Sequence, residues 1–287
     1  MPDISNLSGP IGIKLVNDYL FRALLQKNNN VLKALIASLL HMDEADISSV
    51  RIENEIILGQ DLDEKEFILD ILVRMNDSTI LNIEMQVINL HNWVERSMSY
   101  LCRTFDNLDH GEDYTNVRPA IQIGLLDYTL FPEAPEFYAT YYLMNEKTHQ
   151  KYSDKLRLSV LDLTRIDLAT EEDKLYGIDH WASLFKAQTW EELKMLAQDD
   201  KIMTDAVSTI YDITHDSILR QEIRARDERI AIENHLKNEA DKARKETAEA
   251  KMETAIIRQE LEEKNQYISE QSKRIAELEK ALKELQK

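Results

Sequence analysis

The chain has 287 residues and a formal net charge of −18, with 35 Lys/Arg against 53 Asp/Glu. That length suits one sizeable domain with an appendage, or two domains. Its single cysteine, Cys102, rules out an internal disulfide and a cysteine metal cluster.

The opening MPDISNLSGP has neither a charged n-region nor an apolar h-region, and no run approaches the roughly 20 apolar residues of a membrane span. A soluble, cytoplasmic protein without membrane contact is therefore expected. Asn17-Asp18 precedes YLFRALLQ, whose apolar spacing is helical, so Asn17 or Asp18 is the expected N-cap. Asn28–Asn30 interrupts, and VLKALIASLLHM reads as a second amphipathic helix. Ser48 to Leu58 has strand composition; Glu53 and Glu55 share a face with Arg51 and read as solvated. Gly59–Glu64 is an acidic turn.

Residues 66–86, EFILDILVRMNDSTILNIEMQ, predict two strands joined by a tight turn at Asn76–Ser78. The first, Phe67 to Val73, is apolar at almost every position, as in a strand covered on both faces, yet it carries Asp70 in its middle. In the second, Ile80 to Val87, Leu81, Ile83, Met85 and Val87 point one way, and Asn82, Glu84 and Gln86 the other. A buried carboxylate costs several kcal/mol unless a cation or donors receive it. If Asp70 shares the side of Glu84 and Gln86, three oxygen-bearing groups converge on one patch, which suits a hard divalent cation such as Mg²⁺.

His91 to Asp109 reads as a helix with Trp93, Ser97, Tyr100 and Leu101 on one stripe, Cys102 in the core, and Gly111 ending it. Arg96 and Tyr100 are neighbours on its surface. Arg96 could pair with a carboxylate or hold a phosphate. Pro119–Leu130, Phe137–Met144 and Lys155–Leu163 read as three further strands. EDKLYGIDHWASLFK, TWEELKMLAQ (begun by Thr189) and MTDAVSTIYDIT are then helical. From about Glu233 a heptad runs to the end. Leu261, Ile268, Ile275 and Leu282 occupy one core position; Leu236, Ile257, Leu278 and Leu285 occupy the other. Lys264 and Gln271 are polar core positions, and the middle is rich in Ala and Thr. A coiled coil through residues 233–287, making a homo-oligomer and by preference a dimer, is expected. The segment Ile218–Lys287 holds 16 Lys/Arg and 16 Asp/Glu, so the whole negative excess lies before it. That balance opposes strong non-specific affinity for duplex DNA.

Other chemistries have little support. The seven histidines are scattered without an HxxxH pair, and the six glycines form no GxGxxG or Walker-type loop. No G-x-S-x-G elbow occurs.

An Asp in one strand followed by Glu-x-Gln in the next resembles the PD-(D/E)XK nuclease superfamily, whose usual last residue is Lys. The wider order narrows this: NDYLFRALL, ILDILV…NIEMQ, RSMSYLCRTFDNLDHGEDY, then VRPAIQIGLLDYTLF, over roughly residues 14–165. It resembles the Rpn family of recombination-promoting nucleases, also labelled transposases, which is known for Glu-x-Gln variants. The resemblance implies an α/β fold, a restriction-endonuclease-like mixed sheet flanked by helices in residues 1–170. A helical extension (171–217) and a long helix or coiled coil (218–287) follow. It further implies a Mg²⁺-dependent DNA endonuclease, with Mn²⁺ as a substitute ion. Asp70, Glu84 and Gln86 would be catalytic. The metal would take Asp70, Glu84 and the backbone carbonyl of Met85, with Asp18 as an outer ligand. Arg96, and more weakly Tyr100 and Lys65, would meet DNA phosphate. An amide at Gln86 cannot act as a cation and can only hydrogen-bond water or phosphate. The alternative is a non-catalytic module that binds nucleic acid or protein and oligomerises through its coiled coil.

Overall fold

The computed structural model describes residues 6–54 and 71–285, with the backbone alone for residues 277 and 279–285. Two compact units result, Met1–Ile232 and Glu233–Lys287. The expected strand end Glu55–Leu58, the acidic turn Gly59–Glu64 and the strand start Phe67–Asp70 lie outside the described residues.

Helix α1 spans Asp18–Lys27, and Asn17, not Asp18, caps it by accepting from Leu20 N at 3.0 Å. Asn28 ends α1 and caps α2, Asn29–Leu40. Strands β1 (Val50–Ile52), β2 (Ile71–Met75) and β3 (Thr79–Gln86) form an antiparallel meander. Asn76 and Asp77 take φ of 51° and 55° in the β2–β3 turn, a conformation their short polar side chains tolerate. The Asn76 side chain ties this turn back to Asp46, Ser48 and Ser49.

Helix α3 runs Trp93–Phe105, shorter than the sequence predicts. It stops where Asn107 exchanges hydrogen bonds with the Arg118 backbone, which leads the chain toward β4; Gly111 lies in that connection. Cys102 is exposed rather than core. At 100° per residue it sits half a turn round the helix from Trp93. Strands β4 (Ala120–Leu126), β5 (Tyr138–Tyr141) and β6 (Leu156–Asp162) complete a sheet of order β1-β2-β3-β4-β6-β5. β3, β4 and β6 are parallel, and β5 is antiparallel to β6. The stretch expected as one helix at 172–186 is two, α4 (Glu171–Leu175) and α5 (Ile178–Lys186), because Gly177 between them adopts φ 68°. Capping boxes start α4 (Thr170 with Asp173) and α6 (Trp190–Ala197; Thr189 with Glu192). Helix α7, Lys201–His215, and α8, Ser217–Leu285, follow. The first compact unit extends to Ile232, and Leu219, Ile223 and Ile230 are buried. The opening turns of α8, expected to belong to the tail, are therefore part of the core.

The sheet's two faces differ. Ile71, Val73, Leu81, Ile83, Met85, Ile123 and Leu125 join the main core with the apolar faces of α1, α2, α5 and α7. The opposite face carries Asn82, Glu84 and Gln122 and is covered by α3, where Trp93, Leu126 and Val160 make a small separate cluster. Gly124 is what seats α3. A Cβ there would lie 2.1 Å from Trp93 Cζ2, inside any allowed contact. Gly124→Ala is expected to lift Trp93 and cost about 1–3 kcal/mol. At roughly 2–4 °C per kcal/mol this lowers Tm by several degrees, with a change in near-ultraviolet tryptophan circular dichroism. An unchanged Tm and spectrum would show that the helix does not rest on this glycine.

Candidate functional site

The polar face is built by register. Leu72 pairs with Asn82, Asn82 with Gln122, Glu84 with Gly124, and Gln86 with Leu126, so Asn82, Glu84 and Gln86 share one side as their alternation predicts. Glu84 is only 4% exposed. Arg96 Nη2, reaching down from α3, lies 2.6 Å from its Oε1. A guanidinium at that distance offsets much of the cost of a buried carboxylate. Arg96 Nε has no hydrogen-bond partner among the described residues, and its Cζ lies 5.3 Å from the Tyr100 ring centroid. Of the two roles open to Arg96 in the sequence, this geometry shows the carboxylate pair.

Gln86 is half-buried and donates its amide Nε2 to Ile88 O at 2.9 Å, which leaves Oε1 as the end that can face a ligand or water. The Gln86 carbonyl accepts from Asp127 N on the β4 side. Carbonyls alternate along a strand, so that of Met85 points to the β2 side. There the described ladder ends at the Ile71–Ile83 rung. Asp70 and Lys65 lie outside the described residues. Among the described residues no three His, Cys, Asp or Glu side chains gather to hold a metal ion. The donors present, the Glu84 carboxylate, the Met85 carbonyl and the Gln86 amide oxygen, are all hard oxygens, a set that fits Mg²⁺ or Mn²⁺ and not a soft ion.

Asp18 is placed elsewhere. It is buried at the start of α1 and engages Arg226 of α8 with both carboxylate oxygens, at 2.6–3.0 Å. Its neighbour Asn17 donates to Ile223 O and to Asp227 Oδ1. Burial pushes the Asp227 carboxyl above its ordinary range, and nearby Asp18 adds to this. A raised folded-state value means that Asp227 favours the folded form most at acid pH and loses that contribution as pH rises.

Several interactions of this unit were not legible in the sequence. Tyr128, just past β4, feels the charge of Glu84. Burial first and Glu84 second push its phenol well above the usual range, against Arg96, so the hydroxyl stays protonated. Its position in the LLDYTLF run gave no sign of this. Arg22 is 1% exposed and donates to the Asn54 carbonyl at the end of β1. Its place among buried positions of an amphipathic helix was the available signal. Glu53 is exposed, as expected, and there receives Arg74 through both oxygens at 2.6 and 2.7 Å; Arg74 holds its carboxyl below the ordinary range. Arg51, Arg74 and Arg96 thus bring three guanidiniums to the polar side of an otherwise acidic domain.

A family model described as PD-(D/E)XK nuclease family transposase matches residues 15–249 of the chain. No curated protein and no solved structure matches it.

Breaking a buried ion pair from one side costs about 3–5 kcal/mol. Arg226→Met is accordingly expected to destabilise the chain by that order. Asp18→Asn with Arg226→Met should recover part of the loss in urea unfolding; no recovery would mean that the two side chains do not act as a pair.

Proposed function

Because the chain belongs to the PD-(D/E)XK nuclease family transposases, we propose that it is a divalent-metal-dependent DNA endonuclease whose reaction centre is Asp70, Glu84 and Gln86. A nuclease family implies DNA as substrate, and PD-(D/E)XK nucleases generally use divalent metal ions. The observation that carries the reading is Glu84, a carboxylate 4% exposed on the face opposite the apolar core, with the Gln86 amide oxygen two residues along the same side. Asp70, one residue before the last described rung, would supply the second carboxylate. Glu84, Asp70 and the Met85 carbonyl would hold Mg²⁺ or Mn²⁺. A bound ion of this kind polarises a phosphoryl oxygen and lowers the pKa of water.

The chain's own residues supply the rest. Gln86 Oε1 accepts a hydrogen bond and can orient water, and it carries no charge. Arg96 brings the cation that Gln86 lacks, 2.6 Å from Glu84, where it can also meet a phosphate. The Tyr128 phenol, kept protonated by burial and by the charge of Glu84, adds no second negative charge to this region. Lys65 is a further candidate for phosphate contact, and Asp18, committed to Arg226, has a structural role in this reading.

The Glu84–Arg96 pair also favours a second reading. It neutralises the buried carboxylate without any metal, as a non-catalytic module would require. Plasmid nicking separates the two. Wild type is expected to nick supercoiled DNA with Mg²⁺ or Mn²⁺ and not with EDTA. Asp70→Ala and Glu84→Gln should each lose at least about 100-fold, or about 2.7 kcal/mol of barrier, while keeping their circular dichroism. Folded wild type without metal-dependent cleavage would favour the binding module.

In the second unit, Leu236, Ile257, Leu261, Ile268, Ile275 and Leu278 are 56–63% exposed at heptad positions. An apolar stripe of this kind is stabilised by a partner helix, and we assign it to a homodimer. Leu261→Asp with Ile268→Asp should weaken dimerisation by at least about 100-fold. Sedimentation velocity showing a wild-type monomer at high micromolar concentration would refute the dimer.

A further inference from the structure

Beside Glu84, between the second half of α3 and strands β1–β3, lies a groove of about 350 Å³, within the roughly 300–1,000 Å³ range of ligand pockets. Leu72, Ile80, Asn82, Tyr100, Arg103 and Thr104 line it, with Glu53 and Asn54 at its β1 end. Asn82 is 3% exposed. Its Nδ2 donates to Gln122 Oε1 at 3.0 Å, while its Oδ1 has no hydrogen-bond partner among the described residues. A buried acceptor without a donor is costly, and a ligand that brings an N–H would complete it. The groove is not an isolated feature. Asn82 lies two residues before Glu84 on the same face, about 7 Å along the strand. On the helix above, Arg96 over Glu84 is followed one turn later by Tyr100 at the groove.

Resting on the nuclease reading above, we infer that this groove receives the base of a nucleotide next to the cleaved phosphate, and that the base carries an exocyclic amino group. Five of the lining side chains have a use in that role, and the Glu53 carboxylate at the groove's edge is held by Arg74. The Tyr100 ring stacks on a base face, Leu72 and Ile80 give an apolar bed, and Arg103 is an exposed cation for the backbone. Asn82 Oδ1 accepts from the amine of cytosine, adenine or guanine; thymine offers none. A base inside a duplex has no face free for Tyr100, so the substrate is single-stranded or has an extruded nucleotide. Tyr100 thereby contacts base rather than phosphate.

The test is fluorescence anisotropy with the full-length chain in EDTA, where no cleavage occurs. The probes are labelled oligo-dC, oligo-dT and an abasic strand of equal length. Wild type is expected to bind oligo-dC about fivefold more tightly than oligo-dT. Tyr100→Ala, at a partly exposed position, should weaken oligo-dC about tenfold and leave the abasic strand unchanged. Asn82→Leu should bring oligo-dC and oligo-dT to equal affinity. Should Asn82→Leu fail to fold, the Tyr100→Ala comparison decides alone. Equal weakening of oligo-dC and abasic strand by Tyr100→Ala, or no weakening of either, overturns the subsite. If wild type still nicks plasmid with metal, that result removes the base pocket and spares the nuclease reading. No affinity for any of the three strands likewise overturns the subsite, and plasmid nicking with metal decides the nuclease reading separately.

Discussion

A carboxylate that is 4% exposed must be met by charge, and at Glu84 it is met by Arg96 at 2.6 Å. The two residues sit on different elements, a central strand and the helix laid across it. Their pairing therefore fixes helix to sheet as well as balancing charge. Three residues earlier on the helix, Trp93 fills the space that Gly124 leaves by lacking a Cβ, on the strand next to Glu84. One steric and one electrostatic contact, a single helical turn apart, hold α3 in place. An overlying helix held by so few buried residues (Trp93 and Ser97 alone are fully buried in it) leaves most of its face to solvent and to a ligand.

This explains the division of labour between the sheet's faces. One is buried under α1, α2, α5 and α7 in a continuous apolar core, which supplies most of the area removed from water. The other keeps polar side chains at a shallow, partly open surface. The acidic balance of the domain does not extend uniformly over that surface. Arg51, Arg74, Arg96 and Arg103 are gathered near two glutamates, so the local field is more favourable to a polyanion than the net charge of −18 suggests. Association with DNA would then depend on a confined patch and be strongly salt-dependent.

The opening turns of α8 answer a different need. Leu219 and Ile223 extend the apolar core, while Arg226 covers the buried Asp18 and the Asn17 amide bonds to Ile223 and Asp227. The residues that begin the first helix are therefore held by residues more than 200 positions later. Closing so long a loop costs little more entropy than closing a moderate one, and the buried pair gives the contact its specificity.

The sequence by itself determined what local pattern controls. Alternation in Ile80–Val87 put Asn82, Glu84 and Gln86 on one side, the Asn17-Asp18 pair and Thr189 marked helix starts, and the order of motifs identified the family to which the chain belongs. Period and capping depend on neighbours within a few residues, so one strand of text suffices to read them. Tertiary structure decided what depends on approach between distant segments. It turned Cys102 to solvent, divided 172–186 at Gly177, gave Asp18 to Arg226 and Arg96 to Glu84, and brought Tyr128 within the field of that glutamate. Which partner a buried charge finds is settled by the packing of whole elements, and sequence spacing carries no measure of that distance.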